Sequence, residues 1–379
     1  MSNNPLNIQM VDLKSQYLGI KTDIDKAISK VIISTQFING DEVKGFQKEL
    51  AEYMGVKHVI TCGNGTDALQ IAMMALGLKP GDEVITPSFT YIATTEVIGL
   101  LGLKPVFVDC DSESFNVSPK AIEKAITKKT KAIVPVHLFG QSCDMKAIMQ
   151  IANEHNLFVV EDNAQAIGCD YHGFKEVVKT GTIGDIGCTS FFPSKNLGCY
   201  GDGGAIMTNN DDLAIKLKMI ANHGQSKKYY HDRVGCNSRL DNLQAAVLRI
   251  KLRELDHYII NRQKSANYYY EELSYLTEIT LPKKFQESNH VFHQFTMKLS
   301  DKINRDDFMS FLKNKAIPSM IYYPIPAHKQ KMFADIPVSW GEMTTTDWLC
   351  SRVMSLPMHT EMNKEQLDYI TNNIKEYFK

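Results

Sequence analysis

Short apolar runs recur at intervals through the first two hundred residues: HVIT at 58–61, EVIT at 83–86, PVFVD at 105–109, KAIVPV at 131–136, LFVVED at 157–162, IGCTSF at 186–191 and GGAIMT at 203–208. Each is too short for a helix and is bounded by glycine, proline or polar residues. That pattern predicts strands buried on both faces. Between the early runs lie the helix-compatible segments Thr66–Leu78, Thr90–Ile98, Pro119–Ile126 and Asp144–Glu154. Strand and helix in alternation imply an α/β fold with a large, mostly parallel seven-stranded sheet. The pattern then changes. NSRLDNLQAAVLRIKLRELDHYI, residues 237–259, predicts one long helix carrying Leu240, Leu243, Ala246, Leu248, Leu252 and Leu255 in a partial stripe. Beyond it, the strand-like FHQFTMKL and helical patterns near 304–314 and 364–377 predict a smaller α+β domain. The expected division is residues 1–250 for an N-terminal segment and the large domain, and 251–379 for a linking helix and the small C-terminal domain.

Composition narrows the function. The 379 residues are 44% hydrophobic with a formal net charge of -1, and no Lys/Arg block offers a footprint for nucleic acid. The start, MSNNPLNIQMVDLKSQY, lacks the basic and apolar segments of a leader, and no run of about 18 apolar residues is present to span a membrane. The expectation is a cytoplasmic protein with neither nucleic acid nor membrane as partner. Eight cysteines are scattered without a CxxC pair, which predicts reduced, buried thiols and no metal site.

Open parallel sheets bind ligands beyond the carboxyl ends of their strands, and the informative polar residues fall there. In CGNGTDALQ, Gly65 and Thr66 open a helix after the first strand, where backbone amides and a hydroxyl can cradle an anion. The motif is neither G-x-G-x-x-G nor the GK[ST] phosphate loop, so a phosphate held there belongs to a smaller cofactor. Asp162 in VVEDNAQAIG stands just past a strand, and Lys195 in SFFPSKNLG lies on a loop between Pro193 and several glycines. Each has a plain alternative when read alone: a Gly-rich turn with Thr66 as cap, a capping aspartate, a solvated loop lysine. Together with the aromatic of SFTYIAT they match what pyridoxal phosphate requires: an amine for a Schiff base, an acid for the pyridine nitrogen and an anion seat.

The segments NGTDAL, PSFTYIATTEVI, VEDNAQAIG, TSFFPSKNLGCYGDGGAI, GCNSRLDNLQAAVL, IYYPIPAHKQ and MSLPMH, in this order over nearly the whole chain, resemble the DegT/DnrJ/EryC1/StrS family of sugar aminotransferases, which are fold-type I (aspartate aminotransferase-like) pyridoxal phosphate enzymes. The resemblance implies that Lys195 is the Schiff-base lysine. Dehydratase relatives carry histidine there, so lysine points to transamination. It further implies that Asp162 pairs with the pyridine nitrogen and Tyr91 stacks on the ring. Gln165 would approach the other face, with Gly65, Thr66 and Ser190 seating the phosphate. Asn237 would reach the cofactor phosphate of a neighbouring subunit, giving a homodimer with composite active sites. The implied amino donor is L-glutamate, with pyridoxamine 5′-phosphate as the aminated cofactor and a nucleotide-linked keto sugar as acceptor.

Within the family, CTSFFPSKNLGCYGDGGAI, HGQSKKYYHDRVGCNSRLD and VMSLPMH resemble the 3-aminotransferases of UDP-2-acetamido-2-deoxy-3-keto-D-glucuronic acid in surface polysaccharide synthesis. Arg239 is then the candidate partner of the C6 carboxylate, since a guanidinium grips one with two hydrogen bonds. His223, Tyr229, His231, Tyr322, Tyr323 and His328 are candidate sugar or diphosphate contacts. The slot of Tyr322 is often histidine in the family. A dTDP-3-keto-6-deoxyhexose, a 4-keto nucleotide sugar and a non-enzymatic regulator are the alternatives.

Overall fold

The computed structural model describes residues 6–379; the first five residues, which begin the stretch read for a leader, lie outside the described residues. The strands fall where the apolar runs predict: β1 His58–Cys62, β2 Glu83–Pro87, β3 Lys104–Val108, β4 Thr130–Ile133, β5 Phe158–Asp162, β6 Ile186–Ser190 and β7 Gly204–Thr208. A two-residue strand, β8 Ser339–Trp340, joins the edge beside β3. The order across the sheet is β1-β7-β6-β5-β4-β2-β3-β8. Pairing is parallel from β6 through β8, and β7 runs antiparallel to both its neighbours.

Both faces of the sheet are covered, which is why its strands read as unbroken apolar runs. Side chains alternate between the faces with period two. Ala132, Val160 and Ile206 pack with the helices Gly65–Leu76 and Asp211–Ile220 on one face. Ile133 and Val159 pack with Met145–His155 on the other, where Ala205 and Met207 meet the helices Asp41–Met54 and Asn242–Arg253.

The single helix expected over 237–259 is corrected. The structure has Asn242–Arg253 and Leu255–Leu273, interrupted at Glu254, whose amide bonds back to the Lys251 carbonyl at 3.1 Å. The break lets one stretch of chain serve two cores. Leu248, Leu252, Leu255 and Ile259 belong to the core under the large sheet, whereas Ala266, Tyr269 and Leu273 belong to the core of a second, three-stranded sheet. That sheet is antiparallel and built from Ile279–Thr280, Phe295–Leu299 and Val353–Leu356. All eight cysteines are free, and all but Cys236 are buried. No helix among the described residues is long and apolar enough to cross a membrane.

Candidate active site

A cavity of about 830 Å³ opens beyond the carboxyl ends of β1, β2, β5 and β6. Its floor is the N-terminus of the Gly65–Leu76 helix. Asn64 caps that helix by accepting from the Asp67 amide at 2.8 Å. The amides of Gly65 and Thr66 have no acceptor within the helix, so the site suits an anion. Ser190, at the end of β6, lies against this turn: a Cβ on Gly65 would sit 2.6 Å from the Ser190 Cβ. Gly65→Ala therefore pushes the helix start and Ser190 apart. Overpacking of this kind costs about 1–3 kcal/mol, so cofactor affinity measured by fluorescence titration of the cofactor-free chain should fall about tenfold.

Asp162 ends β5 and is 5% exposed. Its Oδ2 accepts from the Thr94 hydroxyl at 2.7 Å and its Oδ1 from the Ala164 amide at 3.1 Å. The two bonds fix the plane of the carboxyl group. The preceding residue, Glu161, points to the opposite face and accepts from the amides of Gly181, Ile183 and Gly184. That clamp fixes the strand end from which Asp162 projects. Gln165, three residues on, accepts from the Phe139 amide at 2.7 Å and donates to the Tyr323 hydroxyl at 3.0 Å. Burial raises the Tyr323 hydroxyl well above its usual range, so the phenol stays neutral. Its ring meets that of Tyr91 at 6.1 Å between centroids, and Tyr91 is itself exposed on the rim.

Lys195 is half-buried on the loop between β6 and β7. Among the described residues its ammonium makes no hydrogen bond or ion pair. Desolvation pushes its pKa down from 10.5 to about 8, with the Asp162 charge acting in the opposite direction. A cation is thus held in a partly dry cavity with only a carboxylate nearby to offset the burial. An amine of this kind is deprotonated far more readily than a surface lysine, as a nucleophile or base at neutral pH must be.

The cavity brings together Gly65, Thr66, Tyr91, Asp162, Gln165, Ser190, Lys195, Tyr322 and Tyr323. It leaves out six expected residues. Asn237 is exposed and bridges Asn222 through the backbone, and Arg239 donates to the Asn222 side chain at 3.3 Å. His223, Tyr229 and His231 lie exposed on the projecting hairpin formed by Gln225–Lys227 and Tyr230–His231 or beside it. His328 is buried, with its ring Nδ1 2.7 Å from the Ser88 hydroxyl, where it ties the 320s loop to the end of β2. Reasoning from the sequence missed Thr94, Asp67, Asp202, His293 and Gln294. Thr94 stood inside the matched PSFTYIATTEVI segment, yet nothing in that segment points to Asp162. Asp67 is turned by Ser238, whose hydroxyl donates to it at 2.6 Å and accepts from the Gly63 amide at 2.9 Å.

These parts fit pyridoxal 5′-phosphate. The helix start with Ser190 supplies an anion seat whose close approach only glycine at 65 permits. Asp162 supplies a fixed carboxylate for a ring nitrogen, and Lys195 supplies an amine without a competing partner.

Residues 19–375 match the DegT/DnrJ/EryC1/StrS aminotransferase family. The chain is 46% identical over 365 residues to the UDP-2-acetamido-2-deoxy-3-oxo-D-glucuronate aminotransferase of Pseudomonas aeruginosa, covering 96% of this chain and 98% of the relative. It is 44% identical to the UDP-N-acetyl-3-dehydro-alpha-D-glucosamine 3-aminotransferase of Acidithiobacillus ferrooxidans, covering 97% of each. A pleiotropic regulatory protein of Geobacillus stearothermophilus is also 44% identical, covering 99% of both chains. Among solved structures, a DegT/DnrJ/EryC1/StrS aminotransferase from Brucella abortus superposes with a TM-score of 0.93 at 40% identity, over 98% of this chain and 99% of that one.

Proposed function

The chain belongs to the DegT/DnrJ/EryC1/StrS aminotransferase family and is a pyridoxal 5′-phosphate-dependent nucleotide-sugar aminotransferase; from that premise we propose that it moves the amino group of L-glutamate to C3 of UDP-2-acetamido-2-deoxy-3-keto-D-glucuronic acid, a step suited to the amino sugars of surface polysaccharides. The observation that carries the chemistry is the unpaired Lys195 amine, its pKa lowered to about 8, in a cavity that also holds Asp162 and the Gly65 helix start. When bound, the cofactor supplies an electron-withdrawing ring that stabilises negative charge at the donor's Cα and carries nitrogen between the two half-reactions. Gly65, Thr66 and Ser190 would hold its phosphate. Asp162, held in plane by Thr94 and the Ala164 amide, would face the ring nitrogen and favour its protonated form. Gln165, Tyr91 and Tyr323 would flank the ring. Lys195 would anchor the cofactor and, freed when the donor's nitrogen takes its place, would as a free amine take the proton from the Cα of glutamate in the first half-reaction and give one to the sugar carbon in the second. At pH below about 8 the free amine is charged and idle as a base; above it, the amine is neutral and competent.

Among the described residues, one chain lines the cavity with Asp67, Asp162 and Asp202 against the single cation Lys195. A substrate carrying a diphosphate and a carboxylate needs more positive charge than that. The projecting hairpin carries exposed Lys227, Lys228, His231 and Arg233, with Asn237 and Arg239 following. Ile33 (83%) and Val234 (84%), with Phe37, Ile38 and Tyr229, are large apolar side chains left exposed in one chain, as residues that a homodimer covers would be. These features support a homodimer in which the hairpin of one subunit completes the cavity of the other, bringing Arg239 to the sugar carboxylate.

The relative that acts on the 3-dehydro glucosamine supports a second reading, in which the C6 carboxylate is absent. The two readings part at Arg239. Losing one partner of a charge-assisted pair costs about 2 kcal/mol or more. For Arg239→Met, kcat/KM should fall about thirtyfold on the uronic acid and change little on the matching hexosamine. Equal losses on both sugars would remove the carboxylate reading. A purely regulatory role, which the name of the Geobacillus relative raises, leaves Lys195 and Asp162 in one cavity without a purpose; measurable transfer from glutamate would exclude it.

A further inference from the structure

His293 lies just ahead of the strand Phe295–Leu299 and lines the cavity that holds Lys195. It is 8% exposed, and its Nδ1 has no hydrogen-bond partner among the described residues. Asn196, the residue after Lys195, packs against the same segment: it is buried, donates Nδ2 to the Val291 carbonyl at 3.0 Å, and leaves its own Oδ1 without a partner. Two buried orphans of complementary capacity thus stand on adjoining segments. Buried polar groups are paired directly or through an ordered water in almost all folded proteins. The two orphans do not bond to each other directly, so an ordered water between the segments is the partner for an imidazole proton placed on Nδ1, which leaves the Nε2 lone pair unused.

The segment is firmly held. Arg262, 2% exposed, donates from Nη1 to the carbonyls of Phe292, His293 and Met358 at 3.2, 3.3 and 3.0 Å. The imidazole also stays neutral. Burial first, and then the charges of Lys195 and Arg262, hold its pKa well below the usual histidine value. Besides Lys195, the titratable groups that line the same cavity among the described residues are Asp67, Tyr91, Asp162, Asp202, Tyr322 and Tyr323.

Resting on the aminotransferase reading above, we propose that His293 is a positioning residue for Lys195: its Nε2 is the acceptor that the lysine amine, unpaired as it stands here, reaches by side-chain rotation when it serves as the base, turning the amine's own lone pair toward the Cα proton of the amino donor. No proton passes to the imidazole; it aims the base without competing with it. A base displaced by about 1 Å loses up to two orders of magnitude in rate.

The test compares the full-length wild type with His293→Leu, which keeps bulk and removes the acceptor, and His293→Gln, which restores one. With L-glutamate as sole substrate, the first half-reaction should slow about ten- to a hundredfold in His293→Leu with KM unchanged, and the isotope effect for Cα-deuterated glutamate should grow; His293→Gln should recover most of the rate. In the cofactor-free chain, competitive acetylation read by peptide mass spectrometry should place the Lys195 midpoint below that of the wild type in His293→Leu, and back near it in His293→Gln. The proposal is overturned by a His293→Leu rate within about twofold of wild type, by a glutamine variant as slow as the leucine one, or by one Lys195 midpoint in all three proteins. A wild type that does not deaminate L-glutamate overturns the aminotransferase reading instead, before any variant is compared.

Discussion

Lys195→Ala should lose amino transfer by about four orders of magnitude or more while keeping the fold, because one side chain serves both as covalent anchor and as the acid–base group. Its removal costs the structure little. The ammonium makes no hydrogen bond or ion pair among the described residues, and burial already disfavours its charge, lowering its pKa to about 8. The loop backbone is fixed independently, by the Lys195 amide to the Phe192 carbonyl at 2.9 Å and the Cys199 amide to the Phe191 carbonyl at 2.8 Å. The thermal midpoint should therefore stay level or rise slightly as kcat/KM collapses. Parallel melting curves and steady-state rates for wild type and variant check both halves. A variant that unfolds with its activity would assign Lys195 a structural role.

Asp162→Asn should be the next most damaging change. The amide keeps the shape, and its oxygen can still accept from Thr94 or the Ala164 amide, so the fold is spared. What disappears is the charge that would hold a proton on the ring nitrogen, and breaking such a buried pair costs about 3–5 kcal/mol, two to more than three orders of magnitude in rate. A second consequence carries a definite sign. Asp162 is the charge that raises the Lys195 pKa against desolvation. Without it the Lys195 midpoint in the cofactor-free chain should move further below about 8. A rise, or no movement, would mean that the two groups are not coupled across the cavity.

Much of this arrangement was legible in the sequence because local chemistry dictated it. The seven strands announced themselves: strands buried on both faces must be apolar throughout, and Gly or polar residues end them where loops begin. Gly65, Asp162 and Lys195 stood out as polar or flexible residues at those ends. What stayed hidden depended on distant chain segments. Thr94 reads as an ordinary helical threonine until the sheet sets it against Asp162, 68 positions away. His293 sits in a strand-like run with no feature to separate it from a packed core histidine. The strand Ser339–Trp340 is two residues long, too short for any periodicity. The long helix read as continuous because its apolar stripe runs through Glu254, yet the residues on either side serve different cores. For the substrate-binding candidates, motif position was a poor guide to location within one chain. Arg239 and Asn237 lie outside the cavity of their own chain, and His328 is spent on Ser88.

As proposed above, this cavity carries nitrogen from L-glutamate to a nucleotide-linked 3-keto sugar by way of Lys195. The most direct test of that transfer is a reaction of the purified holoenzyme with L-glutamate labelled in its amino nitrogen and UDP-2-acetamido-2-deoxy-3-keto-D-glucuronic acid, read by mass spectrometry of the nucleotide sugar. The expected product is an amino sugar carrying the label, formed together with an equal amount of 2-oxoglutarate and absent with Lys195→Ala. An unlabelled sugar beside intact glutamate, or labelled product formed equally well without Lys195, would contradict it.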